Sequence, residues 1–184
     1  MKKLLLLSLL TLAFPAAALA DDPAPPAQSA EAACTAQRTA MGADGFKAYY
    51  GTNANKANAW GKCVSKLSQA EAAHDSAAST ACATERDDAN FAASHGGKTF
   101  AQFYGTSGNA NGNGNGAGKN AFGKCVSSKS DEADAAVQTA TVTAGKACKT
   151  EQAAGRAAFT LKYGTGAKKA NAFGKCVSSK AKAS

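Results

Sequence analysis

Apolar positions in this chain recur at helical spacing around every second cysteine. They follow the i, i+3, i+4 order of one helix face, and the three sets are Trp60, Cys63 and Val64; Phe122, Cys125 and Val126; and Phe173, Cys176 and Val177. Proline is absent after Pro26, alanine is abundant and β-branched residues are scarce. Because such a composition favours helix throughout, the pattern predicts a mostly α protein.

A second helical segment precedes each of these stripes. In the last case five positions fall on one helix face: Cys148, Gln152, Gly155, Phe159 and Tyr163. Each such segment ends in Tyr-Gly-Thr, whose glycine suits a left-handed C-terminal cap. An asparagine stands two residues before each following aromatic, where an N-cap is expected, at Asn58, Asn120 and Asn171. Each unit is therefore predicted to be a hairpin of two helices.

The hairpin unit occurs three times with the same sequence motif, here called the repeated motif. Each copy contains Cys, then Tyr-Gly-Thr, then Asn-Ala-(Trp or Phe)-Gly-Lys-Cys-Val-Ser. This motif resembles short repeats in secreted bacterial proteins that have no assigned function, and the resemblance covers roughly residues 33–180. It implies export and a modular helical fold, and it carries over no activity or site.

The chain divides into five segments by composition. Lys2 and Lys3, an apolar run over 4–14 and a small-residue cleavage site at 18–20 indicate a signal peptide. The apolar run is shorter than the roughly 20 residues that span a bilayer, so we expect no stable membrane insertion and a secreted, periplasmic or cell-envelope location. The predicted segments are the signal peptide 1–20, a disordered Pro-rich leader 21–30, and helical hairpin repeats 31–75, 76–138 and 139–184, here called units 1, 2 and 3.

Six cysteines in an exported chain predict three disulfides. Pairing within units is favoured because unit 2 is longer on both sides of its tyrosine, as a closed loop requires. The favoured pairs are Cys34–Cys63, Cys82–Cys125 and Cys148–Cys176. The alternative joins neighbouring units and leaves the first and last cysteines to pair. It is disfavoured because, in one continuous helix, Cys63 and Cys82 would stand about 28 Å apart. Zinc binding is disfavoured because no two cysteines are closely spaced.

The expected core is small. After the signal peptide the chain keeps only Leu67 and Leu161 as leucines and has no isoleucine. Each disulfide could contribute ~3–4 kcal/mol, so crosslinks are expected to be a condition of folding. We expect three small modules rather than one core. Consecutive units either share a helix or bend near 76–80, and a break is expected at 141–145.

Positive charge is concentrated in the C-terminal third. The formal charge is +8, and residues 148–184 hold eight basic residues against the single acid Glu151. Such charge predicts salt-sensitive attraction to anionic surfaces, although a solvated face that aids solubility is the plainer interpretation. The favoured binding face is a row of lysines: Lys62, Lys66, Lys124, Lys129, Lys175 and Lys180. The repeat aromatics are expected to pack beneath the disulfides against the tyrosines, rather than to stand exposed for stacking on a ligand.

No catalytic constellation is visible in the sequence. His74 and His95 lie outside the repeated motif. The adjacent Asp87 and Asp88 would point in different directions on a helix. We therefore expect no enzymatic activity, no metal and no cofactor. The expected function is a non-enzymatic interaction module that contacts anionic cell-surface or matrix polymers, with nucleic acid disfavoured. The alternative is a secreted inhibitor or toxin-like binder that uses the low-complexity loop Asn109–Gly118.

Overall fold

The structure, a computed structural model, describes residues 28–105, 118 and 120–183. The predicted signal peptide, most of the leader, and the Asn/Gly loop up to residue 117 lie outside the described residues. The described residues form seven helices and no strand. The helices are α1 (Ala30–Tyr50), α2 (Ala59–Asp87), α3 (Phe91–Ser94), α4 (Phe100–Tyr104), α5 (Ala121–Ala154), α6 (Arg156–Tyr163) and α7 (Ala172–Ala181).

Two long antiparallel helices form the centre of the fold. Helix α2 has 29 residues and α5 has 34, which corresponds to lengths of about 43 and 51 Å. Cys82 near the end of α2 is bonded to Cys125 near the start of α5, and about two and a half turns further on His74 contacts Asp134 at 2.6 Å. Because α2 passes through residues 76–80 without a bend, units 1 and 2 share one helix.

Three disulfides join the helices within units. Their Cα atoms are 6.0 Å apart in each case, in the pairs Cys34–Cys63, Cys82–Cys125 and Cys148–Cys176. Pairing within units is therefore confirmed, and the alternative that joins neighbouring units is wrong. The predicted fold class is likewise confirmed: the protein is mostly α, with three disulfide-stapled helical hairpins in tandem.

Units 1 and 3 share a single core, whereas unit 2 has a small core of its own. The shared core brings Phe46, Leu67 and the first disulfide against Phe159, Phe173 and the third disulfide. The unit 2 core contains Phe91 and Phe100 around the second disulfide. The expectation of three separate modules was therefore wrong for units 1 and 3. Sequence spacing gave no sign that the first and last units meet.

The predicted break at residues 141–145 is also wrong, since α5 continues to Ala154. Gly145 lies inside this helix and is buried. A Cβ added there would stand 2.7 Å from Cγ of Met41 on α1. The glycine therefore allows close packing of α1 on α5 and does not end the helix.

A glycine interrupts the first helical segment of every unit. Gly42 adopts φ 75° inside α1, Gly96 adopts φ 65°, and Gly155 separates α5 from α6. Each stands four residues before a buried phenylalanine and eight before the tyrosine of Tyr-Gly-Thr. The face predicted to run unbroken from Cys148 to Tyr163 is therefore broken at Gly155. The three phenylalanines are Phe46, Phe100 and Phe159.

The glycine of Tyr-Gly-Thr is not the predicted left-handed cap. At Gly51, Gly105 and Gly164 φ lies between −69° and −73°, which is extended backbone. Glycine is needed for space instead: a Cβ at Gly164 would stand 2.5 Å from both Thr160 O and Lys169 Cβ. The left-handed residue stands seven positions before the second cysteine of each unit, at Lys56, Gly118 and Lys169.

The repeat asparagines begin the second helices, but their side chains bind the loop and not the helix end. Asn58 and Asn171 occupy the N-cap positions of α2 and α7 without a side-chain cap bond. Asn58 Oδ1 accepts from the Thr52 amide, and Asn171 Oδ1 accepts from the Thr165 amide, both at 3.0 Å. The predicted positions are confirmed, and the bonds they make close the loop onto Tyr-Gly-Thr.

Candidate anion-binding cleft

The six lysines of the predicted face divide into two groups. Lys62, Lys124 and Lys175, each next to the second cysteine of its unit, are exposed. In the described part of the chain they make no ion pair. They remain available to a ligand, whereas the other three contact groups of their own unit.

Lys129 and Lys180 form ion pairs beside the disulfides. Lys129 Nζ lies 2.8 Å from Glu85 and Lys180 Nζ lies 3.4 Å from Glu151. Each glutamate stands three residues after the first cysteine of its unit and also accepts a hydrogen bond from the tyrosine of Tyr-Gly-Thr. The hydrogen bond from Lys129, followed by that from Tyr104, holds the pKa of Glu85 below its usual value. These lysines therefore cross-link the helices of their hairpins.

Unit 1 replaces the acid of this arrangement with an amide. Gln37 stands where the other units have glutamate, and it accepts a hydrogen bond from the buried Tyr50 hydroxyl. Lys66 has no acid to pair with here, and its ammonium lies 5.1 and 5.8 Å from the ring centres of Tyr49 and Tyr50. The exposed ammonium therefore lies over two aromatic rings and stays in contact with water.

A basic cleft lies where units 1 and 3 meet. It has a volume of about 720 Å³ and is lined by α1, α5, α6, the loop before α7 and the start of α7. Four of its lining residues are cations and one, Asp44, is an acid. None of the four cations has an acidic partner among the described residues. They are Lys149, Arg156, Lys168 and Lys169.

Two backbone features place these cations around one space. The break at Gly155 turns the chain from α5 into α6, and so Lys149 and Arg156 both line the cleft. The left-handed conformation of Lys169, with φ 46°, packs its Cβ against Gly164 and directs the loop across the opposite side. Gln152 and Thr160 add neutral hydrogen-bonding groups. Such a lining can hold an anionic group and exclude cations.

A second groove of about 770 Å³ continues from the cleft along α1 and α5. Lys149 and Ala153 line both spaces. The second groove adds Lys146 and a mostly apolar surface from Ala36, Ala40 and Val142.

The histidines and aromatics have other contacts. His74 pairs with Asp134, and His95 stacks on Phe91 with ring centres 3.8 Å apart. Phe173 is buried and contacts Phe159, but Trp60 is 40% exposed. The prediction that all three repeat aromatics pack inside was therefore wrong for Trp60. The described residues contain no group of three or more side chains suited to a metal, and none of their helices is both long and apolar enough to cross a bilayer.

The cleft cations were not singled out from the sequence. The excess of basic residues after Cys148 was the signal that could have found them. This excess indicates a basic C-terminal third but not a cleft, because the sequence does not show which of these cations lie around one space. Comparisons with known proteins returned no matching family model, no matching curated protein and no matching solved structure.

Proposed function

We propose that this chain is an exported, non-enzymatic interaction protein that binds anionic polymers of a cell surface or extracellular matrix. The basic cleft carries this proposal, because four cations line it and only Asp44 opposes them. Unpaired cations around one space gain free energy by binding a polymer with repeated negative charges, and they release its counterions. The exposed Lys62, Lys124 and Lys175 extend the positive surface.

Two further features support the proposal. Three disulfides are typical of proteins that work in an oxidising space outside the cytoplasm. The single aromatic residue among those lining the cleft, Phe173, is 4% exposed and has no free face for a base to stack on. We therefore favour a sulfated, phosphorylated or carboxylated surface polymer over nucleic acid, which uses exposed aromatics for this purpose.

Elution in a salt gradient from immobilised sulfated polysaccharide and from immobilised polyphosphate tests this function. Two triple variants remove the same charge: Lys149→Gln with Arg156→Gln and Lys168→Gln in the cleft, and Lys62→Gln with Lys124→Gln and Lys175→Gln outside it. We expect the cleft variant to elute at clearly lower salt than the control variant, because its cations share one ligand. Equal shifts would assign binding to distributed charge and contradict the cleft. Failure of the native protein to bind at low salt would contradict the function itself.

A further inference from the structure

One of the contacts that hold unit 3 against unit 1 uses two residues of the repeated motif. Phe173 and Gly174, here called the docking edge, lie against Gly45, Ala48 and Tyr49 of α1, here called the docking seat. A Cβ on Gly45 would stand 2.7 Å from the Phe173 ring, and one on Gly174 would stand 3.4 Å from Ala48 O. Both glycines therefore allow two backbones to approach closely.

The equivalent docking edge of unit 1 is uncovered. Counting back from the second cysteine, Trp60 and Gly61 correspond to Phe173 and Gly174. Trp60 is 40% exposed, and a Cβ on Gly61 would meet no atom within 4 Å. In unit 2 the corresponding Phe122 has the Arg86 guanidinium 5.4 Å above its ring. Unit 1 thus presents the more open of the two edges.

The equivalent docking seats are uncovered as well. Counting back from the tyrosine of Tyr-Gly-Thr, Leu161 of unit 3 corresponds to Ala48, and Phe103 of unit 2 corresponds to Tyr49. Leu161 is 69% exposed and Phe103 is 45% exposed. Of the four large apolar side chains that are exposed in the described residues, three therefore occupy positions that make the contact between units 1 and 3. The fourth is Val137.

We propose that copies of this chain associate head to tail, with the Trp60–Gly61 edge of one copy seated on the Leu161 seat of unit 3 in the next. The contact inside the chain supplies the template, since unit 3 already docks on unit 1 in this way. The two surfaces are different, so each copy can give its edge to one neighbour and its seat to another, which is a heterologous contact. Its products are chains of copies.

The contact between copies is weaker than the contact inside the chain. Ala158 stands where the seat of unit 1 has Gly45, and its methyl group keeps the incoming ring further out. Lys62 follows the edge, and Lys162, which stands where the seat of unit 1 has Tyr49, is paired with Glu151 at 2.7 Å. Because an apolar contact with positive charge on both sides strengthens when charge is screened, association increases with protein concentration and with salt. Binding to an anionic polymer has the opposite salt dependence, so the two activities can be separated.

Sedimentation velocity of the full, disulfide-intact protein over a wide range of concentrations tests the proposal. Trp60→Ser and Leu161→Ser should each lower the association constant by about tenfold or more, as removal of a large apolar anchor does. Val137→Ser, which changes an apolar residue outside both surfaces that is 42% exposed, should leave association unchanged. An intact disulfide set and unchanged circular dichroism confirm that the variants fold.

A mixing experiment distinguishes head-to-tail association from a symmetric dimer. The Trp60→Ser protein keeps an intact seat, and the Leu161→Ser protein keeps an intact edge. An equimolar mixture should therefore form dimers and no longer chains, although neither variant associates alone. The proposal is overturned if the native protein stays monomeric at all concentrations and salts, if Val137→Ser weakens association equally, or if Leu161→Ser has no effect.

Discussion

The Tyr104 hydroxyl donates a 2.9 Å hydrogen bond to Glu85, nineteen residues earlier and on a different helix. The same relationship joins Tyr163 to Glu151 at 3.1 Å. In both units the tyrosine ends the first half of the hairpin and the acid stands one turn after a bridged cysteine. Each bond therefore fixes the end of the helix on which Tyr-Gly-Thr begins, next to the disulfide.

Removal of this hydroxyl should destabilise unit 2. We expect Tyr104→Phe to cost about 1 kcal/mol, the usual net contribution of such a bond, since Glu85 keeps its pair with Lys129. Thermal unfolding with intact disulfides measures the loss. Tyr49→Phe is the matched control, because the one hydrogen-bond partner of the Tyr49 hydroxyl among the described residues is Lys66, at 3.5 Å. Equal losses in the two variants would contradict the role of the bond to the acid.

The charge on Glu85 should stabilise the protein at neutral pH and not in acid. Its pKa lies below the usual 4.5, first because of the hydrogen bond from Lys129. The stabilisation is therefore complete above pH 4.5 and is lost as the pH falls through the lowered pKa of the folded state. Glu85→Gln should lower the melting temperature at pH 7 and match the native protein at strongly acidic pH. Glu132→Gln, an exposed acid on α5, should show little change at either pH.

The charge on Glu71 should have the opposite effect on folding stability and should destabilise the protein at neutral pH. Burial, followed by the charges of Asp134, Glu31 and Asp75, raises its pKa above 4.5, and no described residue makes a hydrogen bond to its buried Oε1 atom. The unfolded chain releases this proton at lower pH than the folded chain does, so folding stability falls as the pH rises from 4.5 through the raised pKa.

Glu71→Gln should therefore raise the melting temperature at pH 7 and lose this advantage well below pH 4.5. Asp131→Asn removes the same charge from an exposed site of α5 and serves as the control. If both variants stabilise equally at pH 7, general charge reduction and not the burial of Glu71 is responsible.

Replacement of glycines of the repeated motif by alanine should change folding stability in opposite directions at different positions. Gly164→Ala places a methyl group 2.5 Å from Thr160 O and should destabilise by about 1–3 kcal/mol, as overpacking does. Gly123→Ala meets no atom within 4 Å inside the first turn of α5. It should stabilise by about 0.5–1 kcal/mol, because alanine loses less conformational freedom in a helix. Chemical denaturation of both variants checks the two signs, and destabilisation by both would contradict this account.

The two cores should unfold separately when a disulfide is removed. Replacement of Cys82 and Cys125 by alanine should open unit 2 to proteases within residues 88–105, while the shared core of units 1 and 3 stays protected. Replacement of Cys148 and Cys176 should expose sites in both units 1 and 3. Limited proteolysis with mass spectrometry locates the cuts. Cleavage confined to unit 3 in the second variant would contradict a shared core.

The sequence alone predicted whatever depends on local spacing. Helical periodicity and the matched lengthening of unit 2 predicted the helices and the disulfide pairs. The unbroken composition after Val64 allowed either a shared helix or a bend near residues 76–80, and α2 is continuous there. The break expected near Gly145 was wrong because glycine has two uses, and the close approach of Met41 is visible only in three dimensions.

The site was harder to predict because its residues are far apart along the chain. Asp44 and Lys169 line one cleft, although 125 residues separate them. The repeats indicated a row of six lysines, and two of these, Lys129 and Lys180, pair with acids of their own unit. Among the cleft cations Lys169 has a basic counterpart in Lys56, whereas the other three have none in units 1 and 2, so a comparison of the repeats does not identify the cleft.

The arrangement of disulfides also sets a mechanical limit on the molecule. Between the first and last cysteine only the segments 64–81 and 126–147, about 40 residues, lie outside the closed loops. Even with every helix pulled straight, this part of the chain can lengthen to only about 140 Å at roughly 3.5 Å per residue. A tether between two anchored surfaces would therefore stretch a short way and then resist further extension through covalent bonds.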